Sequence, residues 1–234
     1  MIKVIDISKS FHGKRVLDGI SFEVEEGTIF SLIGPNGAGK TTTFKILSGI
    51  LRQDSGSIYI NGKEFNSDDV DLKRNIFFIP DNPFLYDKLT GREFIDFILK
   101  VYKVKKNDIE KEISYFDMDS FIDSLIETYS HGYRKRLLFT CMRILKPYIS
   151  ILDEPLVGLD PFAILKLKKM LEEFKKEGKI IFLSLHTLEF AEIVSDRVAI
   201  IDKGRIVEEG GIEELKRRAG VDKGLQEIFL KLLE

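Results

Sequence analysis

Apolar residues fall in short dense runs whose period changes along the chain. Ile2 to Phe11, Ile20 to Val24 and Thr28 to Ile33 read as strands, with turns at Gly13-Lys14 and Glu26-Gly27. Gly39 to Leu47 reads as a helix, and Ser57 to Ile60 and Ile76 to Ile79 as further strands. Thr90 and Glu93 have the spacing of a capping box. Phe94, Phe97, Ile98 and Val101 follow at i, i+3, i+4 and i+7, one face of a helix. After Tyr133, Leu137, Leu138, Cys141, Ile144 and Leu145 mark a second amphipathic stretch that Pro147 stops. Ile149 to Leu152, Ile180 to Ser184 and Val198 to Ile201 are nearly all apolar, as strands buried on both faces of a parallel sheet are. Helices at 162–176 and 187–195 separate them, and the segment from Leu225 to Leu233 reads as one more amphipathic helix. Strands alternating with helices predict an α/β sandwich with right-handed crossovers, and the helical stretch 84–147 an inserted lobe.

Composition narrows the setting. The 234 residues suit one large domain, with 44% hydrophobic and 32% charged residues. A net charge of −2 gives no support to nucleic-acid binding. Cys141 is the single cysteine, so no intramolecular disulfide forms and a reducing cytosol fits. The first residues, MIKVIDISKSF, lack a long apolar run, so no signal peptide is expected. No stretch reaches the roughly 18 to 20 apolar residues of a membrane span, so a membrane role would come through a partner.

Chemistry enters at Gly34-Pro35-Asn36-Gly37-Ala38-Gly39-Lys40-Thr41, which fits G-x-x-x-x-G-K-[ST] between a strand and a helix. Glycines let successive backbone N–H groups turn toward one anion, and the helix N-terminus adds partial positive charge. Lys40 would reach the β- and γ-phosphates of ATP and the Thr41 hydroxyl would ligate Mg²⁺. Ile149 to Glu154 is an apolar strand ending in two carboxylates, where ligand crevices of parallel sheets lie. Asp153 would hold Mg²⁺ through water, and Glu154 would polarise the attacking water as general base.

With these motifs in this order, the whole chain resembles the ATP-binding-cassette (ABC) ATPase family. Gly34 to Thr42 looks like its phosphate loop, including Asn36, Gly37, Ala38, Gly39 and Thr42 as nucleotide contacts. Ser130-His131-Gly132-Tyr133 lies at its signature, ahead of the basic helix start Arg134-Lys135-Arg136. Ser150 to Glu154 matches its acidic strand, Gly158-Leu159-Asp160 its D-loop, His186 its switch histidine, and Arg197 to Glu209 its C-terminal hairpin. Phe11 falls where the family stacks an aromatic on adenine; an aromatic on an alternating strand is more often core, but the position ahead of the phosphate loop reverses that.

The resemblance implies a P-loop NTPase core with a mostly parallel sheet, an antiparallel β subdomain and an inserted α-helical subdomain. Residues 1–234 would form one ATPase domain, with 84–147 inserted in a core of 1–83 and 148–234. It further implies a head-to-tail dimer, of two copies or of this chain with a homologous cassette. Ser130, Gly132 and Asp160 of one subunit would close over the ATP of the other. Two positions depart from the pattern: His131 replaces the first signature glycine, and Asp81 stands where a glutamine usually serves Mg²⁺ and water. These departures resemble exporter-type cassettes of bacteria and archaea. The implied function is to power an integral membrane permease from the cytoplasmic face of the membrane. The alternative is a single-cassette ATPase acting on a soluble partner, as in iron–sulfur assembly.

Overall fold

In the computed structural model, which describes residues 1–105, 108–220 and 224–233, the strand pattern resolves into two sheets. β1 (Ile2–Phe11) pairs antiparallel with β2 (Lys14–Val24) on one edge and with β4 (Ser55–Ile60) on the other, and β4 carries the two-residue β5 (Lys63–Glu64). Ile2, Val4 and Ile7 of β1 face inward while Lys3 and Asp6 face out, the alternation of a sheet with one wet face. β2 starts at Lys14 rather than Ile20, because its polar first half still pairs with the end of β1, Ser10 opposite Arg15.

The second sheet has the order β10 (Arg205–Gly210), β9 (Arg197–Asp202), β3 (Ile29–Ile33), β8 (Ile180–Leu185), β7 (Ile149–Asp153) and β6 (Ile76–Ile79). It is parallel from β9 to β6, and β10 folds back antiparallel on β9. β3, β7 and β8 are buried at every residue, which explains their unbroken apolar runs. Their register sets the site: Ile33 lies beside Leu185, and Asp153 beside Ser184, so the chain leaves all three strands at one level.

Each face of this sheet has its own apolar cluster. Between the sheets, and under α1 (Lys40–Leu47), Phe22 stacks on Phe30 at 5.1 Å. Phe182 meets Phe30 and Phe44 edge-on at 5.8 and 6.3 Å. Such pairs add about 0.5–1.5 kcal/mol each to simple burial. Phe44 thereby anchors the helix that follows the phosphate loop.

The opposite cluster holds the helices. α2 (Val70–Lys73) precedes β6; α3 (Gly91–Tyr102), α4 (Glu110–Tyr115), a 3₁₀ turn at Ile126–Thr128 and α5 (His131–Leu145) lie between β6 and β7. α6 (Pro161–Lys176), α7 (Leu188–Val194), α8 (Ile212–Ala219) and α9 (Leu225–Leu233) complete the order. Both bonds of the Thr90/Glu93 capping box form. The buried face of α3 differs from the predicted one. Phe94, Ile95 and Leu99 turn inward, while Phe97 and Val101 are exposed. Apolar residues are too numerous here for period alone to choose the face. α5 is buried continuously from Lys135 to Met142 instead of along one stripe, because it sits between α3, α4, α6 and β6. Among the described residues, no helix is long and apolar enough to cross a membrane.

Candidate functional site

The phosphate loop joins β3 to α1. Gly39 precedes the helix at φ +115, a left-handed conformation that L side chains rarely adopt, and a Cβ there would lie 2.5 Å from Leu17 Cδ2. No side chain caps the first turn of α1, so its amides remain available to an anion. Lys40 bridges its own loop, its buried ammonium donating to the carbonyls of Gly34 at 2.7 Å and Pro35 at 3.2 Å. Burial pushes its pKa down, against the pull of Glu154 and Asp153.

The end of β7 arrives from the other side. Thr41 Oγ1 donates to Asp153 Oδ2 at 2.7 Å, and Ser184 Oγ donates to Asp153 Oδ1 at 2.5 Å. Ser184 also accepts the Glu154 N–H at 2.9 Å. Sequence reasoning treated Ser184 only as a strand end, yet a polar residue in an apolar strand run was a visible signal. Glu154 has φ +48, unusual for a residue with a side chain. Its Oε1 is 3.1 Å from His186 Nε2 without hydrogen-bond alignment, so this buried oxygen has no hydrogen-bond partner. Burial raises the Glu154 pKa, with His186 and then Lys40 opposing. A carboxylate oxygen left unpaired beside a cleft can accept a proton from water.

Asn36, Gly37, Gly39, Lys40, Thr41, Thr42, Asp81, Glu154 and His186, with Val16, line one cleft of about 240 Å³. Phe11 is not among them. It stands 41% exposed at the end of β1 with the Lys9 ammonium 5.6 Å from its ring centroid, and Val16 is the apolar residue at the cleft. Ala38 is buried under the loop, its N–H donating to the Pro35 carbonyl at 3.2 Å. The Thr41 hydroxyl, Asp153 and Asp81 are hard oxygen donors of the kind Mg²⁺ prefers. Among the described residues no cluster of three or more His, Cys, Asp or Glu could hold a metal unaided. The donor set therefore fits an ion that is completed by phosphate oxygens and water.

A second group gathers elsewhere. Ser130 caps α5, accepting the Tyr133 N–H at 3.3 Å. Gly132 packs so tightly on the D-loop that a Cβ would lie 2.4 Å from the Gly158 carbonyl oxygen. Asp160 caps α6, accepting from the Phe162 and Ala163 N–H groups at 3.0 Å each, and pairs with Arg136. The Ala163 N–H and Arg136 hold its carboxyl below the usual range. None of the three lines the Lys40 cleft. His131, beside them, has a buried Nε2 with no hydrogen-bond partner, and burial followed by Lys135 pushes its pKa down.

Between the two groups lies Lys135, the middle residue of the basic helix start Arg134-Lys135-Arg136. Lys135 has no exposed side-chain area; its Nζ donates to the Glu154 carbonyl at 2.5 Å and approaches Asp81 Oδ1 at 3.5 Å. Burial lowers its pKa, with Asp81 opposing. Its spacing to the buried Leu138, Phe139 and Met142, at i+3, i+4 and i+7, was the signal that it shares their inward face.

Comparison with known proteins agrees with this geometry. The model of the family described as ABC transporter matches residues 17–157. An uncharacterized ABC transporter ATP-binding protein of Methanocaldococcus jannaschii is 39% identical over 221 residues, covering 93% of this chain and 80% of its own. The ABC-type transporter ATP-binding protein EcsA of Bacillus subtilis is 32% identical, covering 99% and 96%. The bacitracin transport ATP-binding protein BcrA of Bacillus licheniformis is 34% identical, covering 93% and 72%. A solved ATP-binding subunit of an ABC transporter superposes with a TM-score of 0.94 at 31% identity, each chain covered in full.

Proposed function

This chain belongs to the ABC transporter family of ATPases, and from that premise we propose that it powers a membrane permease by ATP-driven closure of a dimer. The observation that carries the reading is the convergence of Lys40, Thr41, Asp153, Glu154 and His186 at the ends of three parallel strands. The α1 amides and Lys40 bind the phosphates, Lys40 exchanging the Gly34 and Pro35 carbonyls for β- and γ-oxygens. Thr41, Asp153 and Asp81 would hold Mg²⁺, which when bound would supply positive charge against the phosphate oxygens. Glu154 orients water and accepts its proton as the water oxygen bonds to the γ-phosphorus. The bond to the β–γ bridging oxygen breaks, leaving ADP and inorganic phosphate. His186 stands beside Glu154 at the same cleft, where it would meet the γ-phosphate.

Ser130, Gly132 and Asp160 lie off the cleft and serve a second cassette, a copy of this chain or a homologue. The permease side is assigned to the loop after β6. Phe84 is 99% exposed there, Tyr86 is exposed, and a cleft lined by Asn82, Pro83, Phe84, Leu85, Asp87, His131 and Arg134 adjoins the signature. Export is the direction we assign, because Asp81 and His131 depart from the family pattern in the way that resembles exporter-type cassettes, and the cytoplasmic membrane face is the place. Glu154→Gln tests the reading: ATP binding is retained, turnover falls by about 10²–10³-fold, and the variant sediments as a dimer in ATP. Turnover at the parent rate would remove Glu154 as base. Recovery from solubilised membranes with only a soluble scaffold attached would replace the permease by a soluble partner.

A further inference from the structure

Glu154 has a backbone conformation its side chain does not favour, and something must hold it. Two bonds do. Its N–H donates to Ser184 Oγ on β8 at 2.9 Å, and its carbonyl accepts from Lys135 Nζ on α5 at 2.5 Å. Turning either peptide plane would swing the carboxylate away from the cleft. Lys135 is wholly buried, and its acceptors, the Glu154 carbonyl and the Asp81 carboxylate, come from the segments that follow β7 and β6. A buried ammonium is retained only where it is paired, and this one is paired with the site. α5 starts at the Ser130–Gly132 turn, so one helix carries both the surface assigned to the second cassette and the ammonium that fixes the base.

We infer that Lys135 is a positioning residue for hydrolysis, holding the Glu154 peptide in its left-handed turn. The inference rests on Glu154 being the base proposed above. Displacing a reacting group by about 1 Å costs on the order of 10²-fold, so a strut of this kind acts on turnover while leaving ground-state binding alone.

Lys135→Met keeps the length and removes the donors, and Lys135→Gln keeps one donor group on a shorter stem. Each is measured for Mg²⁺-ATP affinity, kcat, and amide hydrogen exchange of residues 153–160 against α5. Expected are ATP affinity within about threefold of the parent, kcat lower by about 10- to 100-fold in Met and less in Gln, and faster exchange in 153–160 with α5 still protected. If Lys135→Met does not fold, the Gln variant carries the same comparison. The deciding arm combines Lys135→Met, or Gln, with Glu154→Gln. If Lys135 acts through Glu154, the double variant turns over no slower than Glu154→Gln alone. An equal further loss on the Glu154→Gln background, or a kcat within twofold of the parent, overturns the inference. So does loosening confined to α5, the mark of a packing role. Glu154→Gln at the parent rate would instead sink the functional reading, so the two failures are distinguishable.

Discussion

Two polar groups carry this molecule's chemistry, and they are built differently. The Lys40 cleft draws on β2, α1 and the ends of β6, β7 and β8 but leaves groups unspent: α1 starts without a side-chain cap, and Glu154 Oε1 is buried without a hydrogen-bond partner. The Ser130–Asp160 group is satisfied at its caps, with His131 Nε2 left without a partner: Ser130 and Asp160 cap their own helices, and Arg136 joins Asp160 to Asp117 and the Phe116 carbonyl. An unsatisfied cradle suits a small anion that supplies the missing bonds. A satisfied, rigid group suits a surface presented to another chain, where holding shape before contact lowers the entropic cost of association. On the function proposed above, the first group would bind and the second would close.

The sharpest way to break this contrast is Lys40→Ala. The ammonium's phosphate bonds are charge-assisted, worth about 1.5–3 kcal/mol each, so ATP affinity should fall by about 10- to 100-fold or more. Equilibrium titration with a fluorescent ATP analogue reads it. Unchanged affinity would mean that the cleft is not the nucleotide site. Gly132→Ala probes the other group. Its Cβ would meet the Gly158 carbonyl, so the signature turn and D-loop must part. ATP affinity of the monomer should stay within about twofold, since α1 and Lys40 are untouched, while dimer formed in ATP and steady-state turnover fall by about tenfold or more. Sedimentation in ATP with the Glu154→Gln background measures the closure. A drop in monomer affinity would show that the two groups are one site within a chain.

The same contrast explains what could be read from the residues. Most of the cleft's parts lie in two contiguous stretches, Gly34–Thr42 after one strand and Ile149–Glu154 forming and ending another, each marked by an apolar run, so type and position are legible together, while Val16, Asp81 and His186 come from elsewhere. Asp81 was legible as a departure, but not its partner. Lys135 lies in a basic run, Arg134-Lys135-Arg136, of the sort that usually coats a helix in solvent. The helical spacing to Leu138, Phe139 and Met142 marks its inward face, but its partners are a carboxylate 54 positions earlier and a carbonyl 19 later, which local period cannot identify. The face of α3 went wrong for a related reason. Phe97 and Val101 satisfy the helical spacing as well as Ile95 and Leu99 do, and the packing of α3 against α5 decides between them. The short α4 and the polar start of β2 lacked an apolar pattern, and tertiary pairing alone defines them.

The gentlest probe is Asp160, which belongs to the satisfied group both as a cap and as a charge. Asp160→Ala removes both and should cost about 0.5–2 kcal/mol of stability, with ATP affinity unchanged. Asp160→Asn keeps the cap and loses only the charge of a pair whose carboxylate is exposed and whose Arg136 partner is buried, worth about 0.2–1 kcal/mol. The two are separated by pH. Because the Asp160 carboxyl is held below the usual range when folded, its charge contributes stability above the unfolded pKa. That contribution is lost as pH falls from about 4 through the lower folded pKa. The melting temperatures of the parent and Asp160→Asn should therefore differ slightly at pH 7 and converge in acid, while Asp160→Ala stays below both. A gap between parent and Asp160→Asn that persists unchanged in acid would mean that the side chain serves α6 by shape alone, and that Arg136 is held by Asp117 and the Phe116 carbonyl without it.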